Sequence, residues 1–143
     1  MEISESILIN AAPERVWDIF TDLTCWEKWS TVFSNVSCEA GRLIEGKCFS
    51  FCIRPFSFPM NIEPVVEEMV PGRRIVWSGA KHGITARHEF FFTAEDGKTQ
   101  VTSREIFKVT GIRRLFFHLP KRRLHRLSVM MLNDLRNAAE KGQ

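Results

Sequence analysis

The sequence predicts an α+β fold in which a curved antiparallel sheet of about six or seven strands wraps around one long C-terminal helix. Residues 34–109 read as consecutive strands joined by short turns, and such strands pair antiparallel. After Gly111, apolar residues recur at helical spacing to about residue 141. That helix would be about 30 Å long, enough to cross a strongly curved sheet. Two short helical patterns lie between the first strand and the others.

The size and composition indicate one domain over residues 1–143, of which 44% are apolar. The longest apolar runs are far shorter than the roughly 20 residues of a membrane span. The acidic N-terminus lacks a signal-peptide pattern, so a cytoplasmic location is expected. The cysteines have neither CxxC spacing nor a histidine at zinc-finger spacing, which predicts reduced, mostly buried thiols. These cysteines are Cys25, Cys38, Cys48 and Cys52.

The first strand is predicted over residues 3–9, where three isoleucines fall on alternate positions. A helix then begins at Pro13, because the N–H that proline lacks would be unpaired in a first turn anyway. Glu14 favours the positive end of that helix. A second short helix over residues 25–30 places Trp26 and Trp29 on one side.

The middle of the chain is divided by turn signals into candidate strands. Pro59 and Pro64 predict that the strand between them is an edge strand, bulged or both, because proline cannot donate to a ladder. Residues 54–59 read as a loop with exposed aromatic side chains. The strands are predicted over residues 34–40, 46–54, 60–70, 73–79, 84–94 and 99–109, and the turns at Ala40-Gly41, Arg54-Pro55, Pro71-Gly72 and Ser78-Gly79.

The strongest hairpin signal is Asp96-Gly97, which lies between two runs of β-branched and aromatic residues. With these two residues at the centre of the turn, Glu95 pairs with Lys98 and the register of the whole hairpin follows. One face then carries Phe92 opposite Val101, Phe90 opposite Ser103, His88 opposite Glu105, and Ala86 opposite Phe107. The other face places Glu89 opposite Arg104 as an exposed cross-strand pair.

Most of the excess positive charge lies in segment 113–126, at the start of the last helix. A patch that interleaves bases and aromatics suits contact with an anionic membrane beside a pocket mouth. The alternative to membrane contact is a purely structural role, in which the basic residues are solvated at the start of the helix and the apolar residues pack as a lid. No nucleic-acid recognition motif accompanies the patch, so nucleic-acid binding is not expected. The basic residues of this patch are Arg113, Arg114, Lys121, Arg122, Arg123 and Arg126.

Four segments carry a combined pattern: residues 9–22, the Trp26-Glu-Lys-Trp29-Ser30 motif, residues 71–79, and residues 88–92 with 101–107. In their order and spacing they resemble the START-like, or SRPBCC, superfamily, and within it the bacterial polyketide cyclase/dehydrase branch. This resemblance implies the helix-grip fold, with a cavity between the sheet and the last helix that is lined by the second helix and the middle hairpin. Similar proteins include cyclases, dehydratases and carriers of hydrophobic ligands, and fold alone does not select among these activities.

His88 and Glu105 are the candidate polar pair, because the predicted register places them together on an otherwise apolar face. One interpretation is a pair inside the cavity that handles a proton or orients the polar end of a ligand, since a carboxylate that holds a histidine fixes its tautomer and keeps it basic. The other interpretation is a buried structural pair that fixes strand register. Apolar candidates, each of which could instead be plain core, complete the predicted ligand site: Trp26, Trp29, Phe51, Ile53, Met60, Ile62, Trp77, Phe90, Phe107, Leu127 and Met131.

Three functional hypotheses follow. The preferred one is a non-enzymatic carrier or sensor that binds a small hydrophobic ligand of lipid, polyketide or aromatic type. The alternatives are a cyclase/dehydratase-like enzyme that uses His88 and Glu105, and a protein-interaction module like the START-like cochaperones. No P-loop, GxGxxG, GxSxG or metal-ligand spacing is found, so no metal or cofactor is expected. The protein is expected to be a monomer or a homodimer.

Overall fold

The computed structural model describes residues 1–111 and 119–141, and the predicted α+β class is confirmed. A 3-10 turn at Leu23–Cys25 joins the first two helices. The elements, in chain order, are β1 (Glu2–Ile9), α1 (Pro13–Thr21), α2 (Trp26–Trp29), β2 (Ser34–Ser37), β3 (Ser50–Ile53), β4 (Met60–Ile62), β5 (Val65–Val70), β6 (Arg74–Lys81), β7 (Ile84–Glu95), β8 (Lys98–Val109) and α3 (Lys121–Glu140).

The strands form two antiparallel sheets rather than one. The larger has the order β1-β8-β7-β6-β5, and the smaller has the order β2-β3-β4. Backbone hydrogen bonds join them, since the Gly46 N–H donates to Val66 O at 2.7 Å and the Phe49 N–H donates to Pro64 O at 3.1 Å. The two sheets therefore make one continuous wall on the side that faces α3.

The β7–β8 hairpin has the predicted register throughout, with His88 opposite Glu105 and Glu95 opposite Lys98. Asp96 and Gly97 both have positive φ, 50° and 78°. A two-residue hairpin turn with both centres in the left-handed region matches the twist of its strands, and glycine adopts that region at no steric cost. The turn chemistry therefore fixes which side chains point to the inner face.

Several predicted strand limits are wrong. The strand predicted over residues 60–70 is divided at Glu63-Pro64 into β4 and β5, each an edge strand of its own sheet. The turn predicted at Ser78-Gly79 is absent, because β6 continues to Lys81 and the chain reverses at His82-Gly83. Gly79 lies within β6 opposite Ala86 of β7 and packs against the Pro64 backbone, which lies at an ordinary contact distance of 3.5 Å from where a Cβ would be. The strands predicted over 34–40 and 46–54 are also shorter, spanning β2 and β3 only.

The pair Glu89 and Arg104 is not the exposed pair that was predicted, because Glu89 is only 5% exposed. Its carboxylate lies between two guanidinium groups, with Arg74 at 2.8 Å and Arg104 at 3.2 Å. Arg74 also lies 3.6 Å from Glu68, and Arg104 lies 2.8 Å from Glu2. One charged residue from each strand of the larger sheet thus joins a chain of ion pairs across its outer face.

Helix α1 begins at Pro13 as predicted, with Glu14 in its first turn. The Arg15 side chain donates to the carbonyl oxygens of Ala139 (2.6 Å) and Lys141 (2.7 Å), so it ties α1 to the end of α3. Cations suit a helix C-terminus, where carbonyl groups lack intrahelical partners. Ala139 is buried in the inward stripe of α3.

Aromatic and aliphatic side chains fill one half of the space between the sheets and α3. Phe20 lies at its centre, 4.7 Å from Phe90 and 5.6 Å from Phe92 between ring centroids. Leu132 and Leu135 of α3 close this core from the other side and are fully buried. The four cysteines are free thiols, but none is fully buried and Cys48 is exposed, so the expectation of mostly buried thiols is wrong.

Candidate functional site

The other half of the space between the sheets and α3 is open. It forms a cavity of about 360 Å³, within the range of about 300–1,000 Å³ that is typical of ligand pockets. Its walls come from both sheets, from the first half of α3 and from the loop between β3 and β4. The described lining residues are Val32, Phe33, Phe51, Ile53, Pro55, Phe56, Met60, Asn61, Ile62, Glu63, Pro64, Trp77, Gly79, Ala80, Lys81, Ile84, Ala86, His88, Glu105, Phe107, Leu119, Leu124, Leu127, Ser128 and Met131.

The cavity has a polar mouth and an apolar body. Asn61, Glu63, Ala80 and Lys81 line it and are exposed, so the cavity meets solvent between β4 and the end of β6. The Lys81 ammonium donates to Asn61 O at 2.6 Å and holds the two sheets together at this point. Trp77, which is 4% exposed, separates the cavity from the aromatic core. A ligand entering here would pass a charged rim before it reached apolar walls.

Four polar side chains, His88, Ser103, Glu105 and Ser128, lie together at the inner wall, and we call them the inner polar cluster. The hydroxyl Oγ of Ser103 lies 2.6 Å from His88 Nε2. The Ser128 hydroxyl on α3 donates to Glu105 Oε1 at 2.7 Å. Nδ1 of His88 lies 3.9 Å from Glu105 Oε2, which is longer than a hydrogen bond. The partner that positions the imidazole is therefore Ser103 rather than Glu105.

His88 is enclosed by aromatic rings. Its imidazole stacks on Phe90 at 4.0 Å and meets the edge of Trp77 at 5.3 Å. Removal from water lowers the pKa of His88 below its ordinary value, and the charges of Glu105 and Glu89 oppose that shift without cancelling it. The imidazole is accordingly neutral at pH 7, which suits hydrogen bonding to a neutral ligand group.

Most of the predicted site residues meet around the cavity. Three do not: Trp26, Trp29 and Phe90 lie outside its walls. Trp26 is fully buried, stacked on Phe33 at 4.7 Å, with its indole N–H donated to Phe20 O. Phe90 is covered by His88 itself. Those that do line the cavity are Phe51, Ile53, Met60, Ile62, Trp77, His88, Glu105, Phe107, Leu127 and Met131.

Sequence reasoning missed several lining residues. Ile84 and Ala86 share a strand face with His88, so the hairpin register could have identified them. Ser128 is the hydroxyl that interrupts the buried stripe of α3 between Leu124 and Met131, and a polar residue in an apolar stripe is such a signal. Phe56 lies on an irregular loop, where no periodicity places its side chain.

The basic segment 113–126 is only partly described, because Arg113 and Arg114 fall outside the described residues. Lys121, Arg122 and Arg123 are exposed on the first turn of α3 and form no ion pair with any described residue. Among residues 1–111 and 119–141, no helix is long and apolar enough to cross a bilayer. The same residues contain no cluster of His, Cys, Asp or Glu suited to a metal ion.

Solved structures with the same architecture are numerous. The Zhui aromatase/cyclase from Streptomyces sp. R1128 superposes with a TM-score of 0.80 at 15% identity, over 99% of this chain and 94% of that one. A START superfamily protein from Mycobacterium smegmatis has a TM-score of 0.69 at 13% identity, over 97% and 94%. A hypothetical protein from Helicobacter pylori has a TM-score of 0.74 at 17% identity, over 98% and 88%. At such low identity these likenesses concern the fold alone.

Among curated proteins no significant match is found. A family profile does match, over residues 1–140, and its description is polyketide cyclase / dehydrase and lipid transport. The match spans the sheets, the cavity and the long helix described above. The chain therefore belongs to the polyketide cyclase/dehydrase and lipid transport family.

Proposed function

We propose that the protein is a carrier or sensor that binds a small hydrophobic ligand in the cavity between the sheets and α3. Family membership implies hydrophobic-ligand binding. The observation that carries the proposal is an open, mainly apolar cavity of about 360 Å³, which lies beside a core of packed side chains. Natural interiors are close-packed, so a space of this size is unlikely to be left by chance packing and suits a ligand.

The first test is native mass spectrometry of the purified protein, with organic extraction of any bound molecule. A co-purifying hydrophobic molecule would support the proposal and identify its chemical class. Titration with the neutral fluorophore N-phenyl-1-naphthylamine is the second test. We expect saturable binding to one site, and a protein that binds no such probe would contradict the proposal.

A variant that fills the cavity tests whether the fluorophore binds there. Ala86→Trp adds an indole to the inner wall, where Ala86 lines the cavity, so the variant should lose most of its affinity for the fluorophore, about tenfold or more. Thr85→Trp is the control, because Thr85 is the preceding residue of β7, is exposed and points to the opposite face. Equal affinities in the two variants would place binding elsewhere on the molecule.

An enzyme of cyclase or dehydratase type is the second candidate, and the inner polar cluster favours it. His88 borders the cavity and could move a proton to or from a bound polyketide analogue. Replacement by alanine separates the two candidates. A carrier should keep most of its affinity for the fluorophore, which has no hydroxyl group, in His88→Ala, whereas an enzyme should lose turnover by about a hundredfold or more. Product formation from a β-hydroxyketone, with Thr85→Ala as control, is the measurement.

An interaction module of the cochaperone type has no specific observation in its favour, because an open cavity of about 360 Å³ supports the two ligand-binding candidates instead. Peripheral membrane contact, a cytoplasmic location and the choice between monomer and homodimer stay predictions.

A further inference from the structure

The inner polar cluster determines which ring nitrogen of His88 carries the proton. Ser103 Oγ belongs to a residue that is 1% exposed, and its hydrogen-bond partner among the described residues is His88 Nε2 at 2.6 Å. A buried hydroxyl that donates to nothing is costly. The hydroxyl hydrogen therefore points at Nε2, which must then be the unprotonated nitrogen. The lowered pKa of His88 agrees with a neutral ring, so the ring proton lies on Nδ1.

Nδ1–H and Glu105 Oε2 face each other across a gap. They are 3.9 Å apart, too far for a direct hydrogen bond. Glu105 Oε1 already accepts from Ser128, whereas Oε2 accepts no hydrogen bond from any described residue. Both His88 and Glu105 line the cavity. The wall thus presents one free donor and one free acceptor side by side.

Resting on the proposed function, we propose that the cavity selects an apolar ligand that carries one neutral hydroxyl group, an alcohol or a phenol. Its oxygen accepts from His88 Nδ1–H, and its hydrogen is donated to Glu105 Oε2. An oxygen about 2.8 Å from each atom closes the gap with two normal hydrogen bonds. A ketone or ether can only accept and leaves Oε2 unpaired. A carboxylate brings a second negative charge beside Glu105.

The test compares three ligands of one shape: 2-naphthol, 2-methoxynaphthalene and 2-naphthoate, each competing with N-phenyl-1-naphthylamine. We expect 2-naphthol to bind the wild-type protein about tenfold or more tightly than either analogue, since hydrogen bonds to charged groups are the stronger ones. Equal affinities for all three would overturn the selectivity while leaving the carrier function intact. Failure of every ligand and of the fluorophore would instead contradict the proposed function.

Two variants test whether Glu105 causes the preference for 2-naphthol. Glu105→Gln keeps the shape of the side chain but removes the anionic acceptor, so the preference for 2-naphthol should fall to about twofold or less. Glu95→Gln is the matched control, because Glu95 is exposed at the far end of the same hairpin and is not among the described lining residues. It should keep the full preference. A preference that survives Glu105→Gln unchanged would overturn the assignment.

A spectroscopic measurement is independent of any ligand. Long-range ¹H–¹⁵N correlation spectra distinguish the two neutral tautomers, and the signals missing from His88→Gln identify this ring among the four histidines. We expect a protonated Nδ1 and an unprotonated Nε2. The reverse pattern would remove the donor that faces the cavity and would overturn the proposal.

Discussion

At the scale of single residues, His88 makes folding depend on pH. Burial lowers its pKa below the ordinary value of 6.5 despite the nearby Glu105 and Glu89. Below pH 6.5 the unfolded chain therefore takes up a proton that the folded protein resists. The unfolded state binds more protons in that window, so the free energy of unfolding falls as the pH drops from 6.5 towards the folded-state pKa, and this contribution then levels off.

We predict that His88→Gln removes this part of the pH dependence. Denaturant unfolding at a series of pH values between neutral and mildly acidic measures it, with His82→Asn as a control at an exposed turn. The slope of unfolding free energy against pH should be smaller in His88→Gln than in wild type, and unchanged in His82→Asn. An identical slope in all three proteins would mean that His88 titrates as an exposed histidine does.

At the scale of elements, the hairpin shows what a local signal can establish. Asp96-Gly97 by itself predicts the register of β7 and β8, and with it the pairing of His88 with Glu105. Hairpin pairing is local, and a two-residue turn leaves no freedom of register. Gly79 was misread for the opposite reason, because a glycine is a turn signal in the sequence, whereas its place within β6 is set by pairing with Ala86 of the next strand.

The outer face of the larger sheet was harder to predict because its burial comes from side chains far apart in sequence. Glu89 was expected to be exposed, since outer-face positions of an antiparallel sheet usually are. Arg74 and Arg104 cover it from the strands on either side. Only the strand order β8-β7-β6 reveals that two arginines share one carboxylate.

We predict that Glu89→Gln lowers the free energy of unfolding by about 1–3 kcal/mol, because two charge-assisted hydrogen bonds are weakened at a buried position. Glu67→Gln is the control on the same face, where exposed Glu67 accepts from Arg87 and Ser78. That exposed pair should be worth less than about 1 kcal/mol. Urea titration measures the free energy of unfolding of both variants. Equal losses of stability would show that burial of Glu89 does not strengthen its ion pairs.

At the scale of the whole molecule, the sequence predicted a space between sheet and helix but not which half of it is open. Phe20, Trp26 and Phe90 fill one half, and a helical or strand period cannot distinguish a residue that fills a core from one that lines a cavity. Trp26 and Phe51 are both aromatic residues that the sequence predicts to face the space between sheet and helix, yet only Phe51 lines the cavity. The difference is set by where α1 and α2 pack, which is a tertiary property.

A charged and aromatic surface also lies beside the cavity. Phe56 and Leu119 both line it, so the β3–β4 loop and the start of α3 flank one end. On the loop, Phe58 is 55% exposed and stacks on Phe56 at 5.2 Å. Arg122 and Arg123 are exposed on the first turn of α3. An exposed ring and cations that form no ion pair within the described part of the chain are what an anionic lipid surface attracts.

We therefore predict binding to vesicles that contain phosphatidylglycerol and weak binding to pure phosphatidylcholine, measured by co-sedimentation. Each cation near such a surface contributes about 1 kcal/mol, so the double variant Arg122→Glu, Arg123→Glu should lose at least tenfold in partitioning. Arg73→Glu with Lys98→Glu changes the net charge equally, but at the opposite end of the sheet, next to the turns that follow β5 and β7. Equal losses in both double variants would mean that net charge alone drives the contact, whereas a loss confined to the α3 variant would place the first turn of α3 at the membrane.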